Sequence, residues 1–120
     1  MHDRQFVILE HDHPFLHWDF LIENRDGLAC WRLLEFPQTG IPIPASSLPV
    51  HRRHYLTWEG PVSGDRGSVQ RLYAGSLVRD AVWPDVSDWP GLLIQMVECP
   101  LADSCRLIRH EDDALHWEFD

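Results

Sequence analysis

The stretch LHWDFLIENRDGLACWRLL, residues 16–34, predicts two antiparallel strands joined by a tight turn. Both of its ends are rich in Leu, Ile, Phe and Trp, and residues 24–27 between them favour a reversal of the chain. Similar short apolar runs recur at intervals of about ten residues, and no window shows a sustained helical period of apolar residues. The sequence therefore predicts an all-β fold.

The predicted strands are short and are separated by turns rich in Gly, Pro, Asn and Asp. They cover residues 5–10, 16–23, 28–34, 53–59, 68–74, 92–98, 104–110 and 114–119. Residues 36–49 contain four prolines and are predicted to form an extended connection outside the sheet, because proline has no N–H for a ladder. Strands of this number and length fit a two-sheet sandwich or a small closed antiparallel barrel, and closure would remove exposed edges.

Composition limits the classes of partner. The 120 residues, 44% of them hydrophobic, predict one folded domain spanning residues 1–120. The net charge is −9 and all ten basic residues are arginine, which disfavours long duplex nucleic acid as a partner. A local pair such as Arg52 and Arg53 could still hold one phosphate through forked hydrogen bonds. Three cysteines without a CxxC pair or a leader favour a cytoplasmic protein, and the short apolar runs predict no membrane partner.

The segment EHDHPFLHWDF, residues 10–20, concentrates potential metal ligands. On a strand, His17 and Asp19 share one face while Trp18 and Phe20 share the other, which is predicted to be the core face. His11 ends the preceding strand and can approach across the turn. Two imidazoles and a carboxylate suit Mn²⁺, Fe²⁺ or Zn²⁺, so these three residues are predicted metal ligands, with individually satisfied polar residues as the alternative.

The other histidines have weaker patterns. His13 lies in the turn before Pro14 and is predicted to be solvated rather than a ligand. His116, in ALHWEFD, repeats the pattern of LHWDF but is predicted to lack a histidine neighbour. In VHRRHYLTWEG, residues 50–60, extended backbone would place His51, Arg53 and Tyr55 on one face, either as a cradle for an oxyanion or phosphate or as a solvated basic edge.

Four segments in order, FVILEHDHPFLHWDFLIE, GLACW, VHRRHYLTWEG and GDRGSV, resemble the 3′-phosphoesterase domain of bacterial DNA ligase D and its stand-alone relatives. The resemblance covers most of residues 5–77. The family's motif has a His, a second His six residues later and an Asp two further on, followed by a His and a Tyr four apart ahead of Glu-Gly. These positions correspond here to His11, His17, Asp19, His51, Tyr55 and the pair Glu59-Gly60.

This resemblance implies a closed antiparallel β-barrel of about eight strands whose central cavity holds Mn²⁺, with Zn²⁺ or another divalent transition metal as alternatives. The implied activity, in DNA repair, removes 3′-phosphates or a terminal ribonucleotide. The metal ligands would be His11, His17 and Asp19, and His51 and Tyr55 would be catalytic and contact the phosphate, with Arg53 beside them. The implied partners are 3′ ends of DNA or RNA-tailed primers, and DNA end-joining proteins.

Two positions depart from the family pattern. The family has arginine two residues after the motif Asp and eight residues before the later His, where this chain has Leu21 and Ile43. Loss of both would weaken phosphate binding unless Arg32, Arg53 or Arg71 reaches the site from another strand. A catalytically weak or inactive metal-binding barrel that holds nucleic-acid ends or a small phosphate ligand is therefore the alternative function. An Fe²⁺ oxygenase is disfavoured by the short chain.

Overall fold

The structure, a computed structural model, describes residues 2–120, and this part of the chain contains nine strands. They are β1 (His2–His11), β2 (His17–Asn24), β3 (Gly27–Leu33), β4 (Ile43–His51), β5 (Gly60–Pro61), β6 (Ser68–Arg79), β7 (Leu93–Val97), β8 (Ser104–Arg109) and β9 (Leu115–Phe119). Eight of them form a closed antiparallel barrel in the order β1-β2-β3-β4-β9-β8-β7-β6, with β6 pairing back to β1. The short β5 pairs with β6 outside the ring. The predicted all-β barrel is confirmed.

Helical structure in residues 2–120 is limited to two short 3₁₀ helices, Arg53–Leu56 and Val86–Asp88. Within these residues, no helix has the length and apolar character needed to cross a membrane.

The barrel interior is a packed aromatic core. Side chains alternate along β2, so Phe20 points inward together with Trp31 of β3 and Trp117 of β9. The ring centroids of Phe20 and Trp117 are 4.8 Å apart, and those of Trp31 and Trp117 are 5.2 Å apart in an edge-to-face arrangement. All eight barrel strands contribute buried residues to this cluster. The interior of the ring is therefore a packed hydrophobic core.

A second, smaller cluster lies on the outer face of β1, β2, β3 and β6. Its buried members are Val7, Leu9, Leu21, Leu28, Cys30, Val62 and Val69, and Leu48, Tyr55, Leu56, Trp58 and Ala74 pack against it. The chain between β4 and β6 supplies the cover. One part of the outer barrel surface is therefore shielded from solvent.

The predicted connection over residues 36–49 is wrong in its second half, which forms β4. Pro44 has no N–H to donate, but it joins the pairing with β3 through its carbonyl, which accepts a hydrogen bond from Leu34 N at 2.9 Å. Pro49 lies in a bulge, where two residues of β4 oppose one residue of β3 between the pairs Leu28–His51 and Cys30–Leu48. Bulges are among the few positions at which a sheet accepts proline.

The predicted strand over residues 53–59 is also wrong. Its first half is the 3₁₀ helix Arg53–Leu56, closed by hydrogen bonds from Tyr55 N to Arg52 O and from Thr57 N to His54 O. In a 3₁₀ helix, residues three apart share a face, so Arg52 replaces Arg53 as the neighbour of Tyr55. The Arg52 guanidinium lies 5.7 Å from the Tyr55 ring centre.

Candidate metal centre and adjoining cavity

His11, His17 and Asp19 come together on the outer face of the barrel. His11 and His17 are direct cross-strand partners in the β1–β2 pair, and Asp19 follows His17 on the same face of β2. One ligand atom from each residue lies within 4.8 Å of the others. The three residues predicted from the sequence therefore form a group that could hold a metal ion.

Backbone carbonyls fix which nitrogen of each imidazole faces the group. His17 Nδ1 is 2.8 Å from the carbonyl of Phe15, and His11 Nε2 is 2.9 Å from the carbonyl of Arg66. When each of these nitrogens donates its proton to the carbonyl, His17 Nε2 and His11 Nδ1 present lone pairs to Asp19. Such carbonyl partners orient histidines as metal ligands.

The group contains polar atoms that the protein alone leaves unsatisfied. His17 Nε2 is 3.2 Å from Asp19 Oδ1, yet neither buried atom has a hydrogen-bond partner. Both atoms are acceptors when His17 carries its proton on Nδ1. A divalent cation between them would satisfy both, so the donor set fits a transition metal.

The local electrostatics favour an ionised carboxylate. Burial alone would raise the pKa of Asp19, but the contact with His11 at 3.3 Å, the close approach of His17 and positive charge on the two imidazoles outweigh burial and hold this pKa at about 2. The Asp19 hydrogen bond raises the pKa of His11, burial opposes it, and the Arg66 carbonyl adds to the rise. In the metal-free protein the two histidines therefore stabilise the Asp19 side chain as a carboxylate anion.

A cavity of about 660 Å³ adjoins the group on the outer face of the barrel. This differs from the central cavity that the resemblance implied, because the ring interior is filled by the aromatic core. Asp19 is the one carboxylate in the lining, which also contains three arginines and three histidines: Arg32, Arg52, Arg66, His11, His13 and His51. Although the chain has a net charge of −9, the cavity beside its candidate metal centre is lined mainly by basic side chains among its charged residues.

Two of the three residues predicted to contact phosphate line this cavity. His51 Nδ1 is 2.8 Å from the Pro49 carbonyl, and when it donates there Nε2 is left as an acceptor. The His51 and Tyr55 ring centres are 6.1 Å apart. Arg53 is not in the lining: its guanidinium contacts the carbonyls of Asn24 and Arg25 and lies 3.6 Å from Glu23.

The two departures from the family pattern differ in position. Leu21 lines the cavity, so arginine at that position would face the site. Ile43 is fully buried in the barrel interior, so its side chain cannot reach the cavity. Arg71 is also absent from the lining, and its backbone N–H donates to Glu59 Oε2 at 2.9 Å. Of the substitutes considered from the sequence, Arg32 reaches the site.

Sequence reasoning underestimated several residues of the site. The two-residue loop between Asn24 and Gly27 fixes the β2–β3 register and places Arg32 opposite Asp19, which is a signal readable from the sequence. Arg66 carries no such signal, because it lies 55 residues from His11 along the chain. His13, predicted to be solvated, is exposed and also borders the cavity. His116 does have a histidine neighbour, since His110 Nε2 is 2.7 Å from its Nδ1.

At one side of the cavity, the backbone at Gly67 lies close to Asp12 and His13. Gly67 has a φ of +72°, and a Cβ there would lie 2.1 Å from Asp12 Oδ1. The same Asp12 oxygen accepts a hydrogen bond from Ser68 N at 2.8 Å. Glycine therefore lets the turn before β2 and the loop before β6 meet beside the metal ligands.

Comparison with known proteins finds no family model that matches this chain and no significant match among curated proteins. The resemblance to the ligase D 3′-phosphoesterase domain stays a prediction that depends on the quoted motifs.

Proposed function

We propose that this protein is a metal-dependent phosphoesterase that acts on 3′ ends of nucleic acid, removing a 3′-phosphate or a terminal ribonucleotide. One observation carries the proposal: the unsatisfied lone pairs of a His-His-Asp group adjoin a cavity lined by three arginines. The first feature suits a divalent metal and the second suits a phosphoryl group. The order and spacing of the family motifs add the substrate class.

His11, His17 and Asp19 would hold the metal, with Mn²⁺ as the first candidate and Zn²⁺ or another divalent transition metal as alternatives. Bound there, such an ion would polarise phosphoryl oxygens as a Lewis acid. The protein's own residues orient the substrate: Tyr55 can donate its O–H to a phosphoryl oxygen, and Arg52 beside it adds positive charge. Arg52 takes the role predicted for Arg53.

His51 is the candidate proton acceptor. Its Nδ1–H can be held by the Pro49 carbonyl, so its Nε2 lone pair is free to take a proton from an attacking water. The water oxygen then bonds to phosphorus while the bond from phosphorus to the 3′ oxygen breaks, and the leaving oxygen is protonated from solvent. The net charge of −9 favours recognition of terminal nucleotides only, so the affinity for nucleic acid should depend weakly on salt concentration.

A primer with a 3′-phosphate tests the proposal directly. Wild-type protein with Mn²⁺ is expected to release phosphate from it, and His17→Ala is expected to abolish release, which also excludes a contaminating phosphatase. His116→Ala is the matched control, because it removes a histidine from a similar sequence outside the cavity. Equal release by wild type and His17→Ala would overturn the proposal.

The alternative is a metal-binding barrel that holds a nucleic-acid end without cleaving it, and the apolar Leu21 in the cavity wall favours it. Leu21→Arg is expected to raise activity on the 3′-phosphate primer if the protein is an enzyme. If wild type is inactive with every divalent metal and the folded, metal-loaded variant is inactive as well, the binding function becomes the better conclusion.

A further inference from the structure

Arg32 holds an unusual position among the cavity residues. It lies on β3 directly opposite Asp19 of β2, and its side chain lines the cavity. Its Nε atom is buried and has no hydrogen-bond partner. A buried guanidinium N–H without an acceptor is costly, and an anion in the cavity would supply the acceptor.

The neighbouring arginines are engaged differently. Arg66 donates from Nε to the Ser63 carbonyl and from a terminal nitrogen to the Ser63 hydroxyl. The guanidinium of Arg52 lies over the Tyr55 ring. Arg32 therefore combines an unsatisfied donor with a position across the strand pair from the metal ligand Asp19.

Phe15 supports this arrangement. The Arg32 guanidinium carbon lies 5.3 Å from the centre of the Phe15 ring, within the range of a cation–π contact. The same ring packs against His17, with centroids 5.4 Å apart. Phe15 is 51% exposed, so it contributes little to the core, while its ring contacts both of these site residues. It is suited to hold the guanidinium in position.

We propose that Arg32, held by Phe15, is the principal anion-binding residue of this cavity and that it binds a phosphoryl group beside the metal centre. Naming the anion as phosphoryl rests on the proposed function. The guanidinium geometry suits a tetrahedral oxyanion, which it can meet with two parallel hydrogen bonds. Free phosphate and a terminal phosphomonoester share this chemistry.

The position of Leu21 allows the arginine to be moved from residue 32 to residue 21 as a test of the proposal. Leu21 pairs with Cys30, so it is the diagonal neighbour of Arg32 on the same face, and both side chains line the cavity. Diagonal neighbours in an antiparallel pair lie roughly 7–8 Å apart, within reach of an arginine side chain. An arginine at position 21 could therefore deliver its charge to the region that Arg32 now serves.

The experiment measures the dissociation constant of inorganic phosphate by calorimetry on the full chain loaded with Mn²⁺, and again on chelator-treated protein. Arg32→Gln is expected to weaken phosphate binding about 10- to 100-fold, the effect of losing hydrogen bonds to a charged group. Arg106→Gln is the matched control, because Arg106 is also half-buried with an unpartnered Nε but lies outside the cavity. It is expected to change the constant less than about twofold, within the usual scatter for a distant site.

Two further variants guard against misfolding. Phe15→Ala changes an exposed residue, so the protein should fold, and it is expected to weaken binding by a smaller factor than Arg32→Gln. Leu21→Arg in the Arg32→Gln background is expected to restore part of the lost affinity. Unchanged phosphate binding in Arg32→Gln, or an equal loss in Arg106→Gln, would overturn the proposal.

A further titration distinguishes failure of the Arg32 proposal from failure of the proposed phosphoesterase function. Titration with a 3′-phosphorylated dinucleotide and with its unphosphorylated form shows whether the terminal phosphate is the group recognised. Arg32-dependent binding without hydrolysis would support the anion site and count against the phosphoesterase. Hydrolysis that Arg32→Gln leaves unchanged would support the phosphoesterase and overturn the role of Arg32.

Discussion

Two segments of this protein, LHWDF at residues 16–20 and LHWEF at residues 115–119, have nearly the same sequence and different surroundings. Apart from Leu16, which precedes β2, both lie on barrel strands and turn their aromatic residues inward. Outside the barrel, the side chains of His17 and Asp19 are 0% and 6% exposed, whereas those of His116 and Glu118 are 12% and 40% exposed.

The polar atoms of the two segments are satisfied in different ways. His116 contacts His110 through Nδ1 and Glu118 through Nε2, so both of its ring nitrogens have partners within the cluster. His17 instead uses Nδ1 on a backbone carbonyl and leaves Nε2 unpartnered beside Asp19. In both segments, the alternation of side chains along the strand turns the His and the acidic residue outward. Whether that pair becomes a candidate metal centre depends on the neighbouring segments that cover it and on the hydrogen-bond partners that they provide.

The largest expected effects test what the two segments share. Phe20 and Phe119 are both fully buried in the barrel interior. Phe20→Ala and Phe119→Ala are each expected to lower the free energy of unfolding by about 3–5 kcal/mol, because each leaves a cavity in a packed core. Urea denaturation of both variants measures this loss, with the exposed Phe36→Ala as a control. A loss below about 1 kcal/mol for one of them would show that the inner faces are not equivalent.

The next effect separates the outer faces. Asp19→Ala is expected to weaken Mn²⁺ binding at least about 100-fold, since even residues that only support metal ligands are worth 10- to 100-fold. Glu118→Ala is expected to leave the dissociation constant unchanged. Metal analysis after dialysis, followed by titration calorimetry, compares the two variants. Equal metal content in both would refute the assignment of the centre.

A third prediction concerns pH in the metal-free protein. The pKa of Asp19 is about 2 in the fold against a usual 3.8, which corresponds to roughly 2 kcal/mol of stability. Since the folded pKa is the lower one, this stability is present above pH 3.8 and is lost as the pH falls toward 2. Denaturation in the presence of a chelator between pH 5 and pH 2 should show a steeper loss for wild type than for Asp19→Asn.

His11 contributes with the opposite sign. Its folded pKa is raised above 6.5, so its stabilising effect is present below that pH and is lost as the pH rises through the folded value. For the Asp19 prediction, an equal loss of stability in wild type and Asp19→Asn between pH 5 and pH 2 would refute the stabilisation of the Asp19 carboxylate by its histidines.

The smallest expected effect belongs to the exposed segment. Glu118→Ala should cost less than about 1 kcal/mol, because the Glu118 side chain is 40% exposed and water screens its contact with His116. Thermal unfolding of this variant beside wild type measures the change. A larger loss would mean that the His110, His116 and Glu118 cluster is structurally as important as the covered group.

The sequence predicts most of the barrel and the metal group for the same physical reason. The β2–β3 hairpin has a turn of polar residues between two apolar runs, and alternation then places Trp18 and Phe20 opposite His17 and Asp19. The hairpin and the alternation both depend on residues close together in the sequence, so they can be predicted from it.

The wrong predictions involve relations that are not local. Pro49 is tolerated in β4 because it lies in a bulge, and the position of that bulge depends on the partner strand β3. Arg53 was predicted from extended backbone, but the chain turns into a 3₁₀ helix where it covers the second cluster. The contact of the Arg66 carbonyl with His11, which was not predicted, is non-local as well, because it depends on the folded loop before β6.

The ladders of the barrel are unequal in length. β1 pairs with β6 from His2 to His11, and β2 pairs with β3 from Trp18 to Asn24, whereas β7 pairs with β8 only over Leu93–Gln95. A long ladder of strand pairs resists local unfolding better than a short one, and a short ladder can open locally while the rest of the sheet stays folded. The candidate metal ligands lie on β1 and β2, so the opposite side of the ring can fray while the site keeps the preorganised geometry that binding requires.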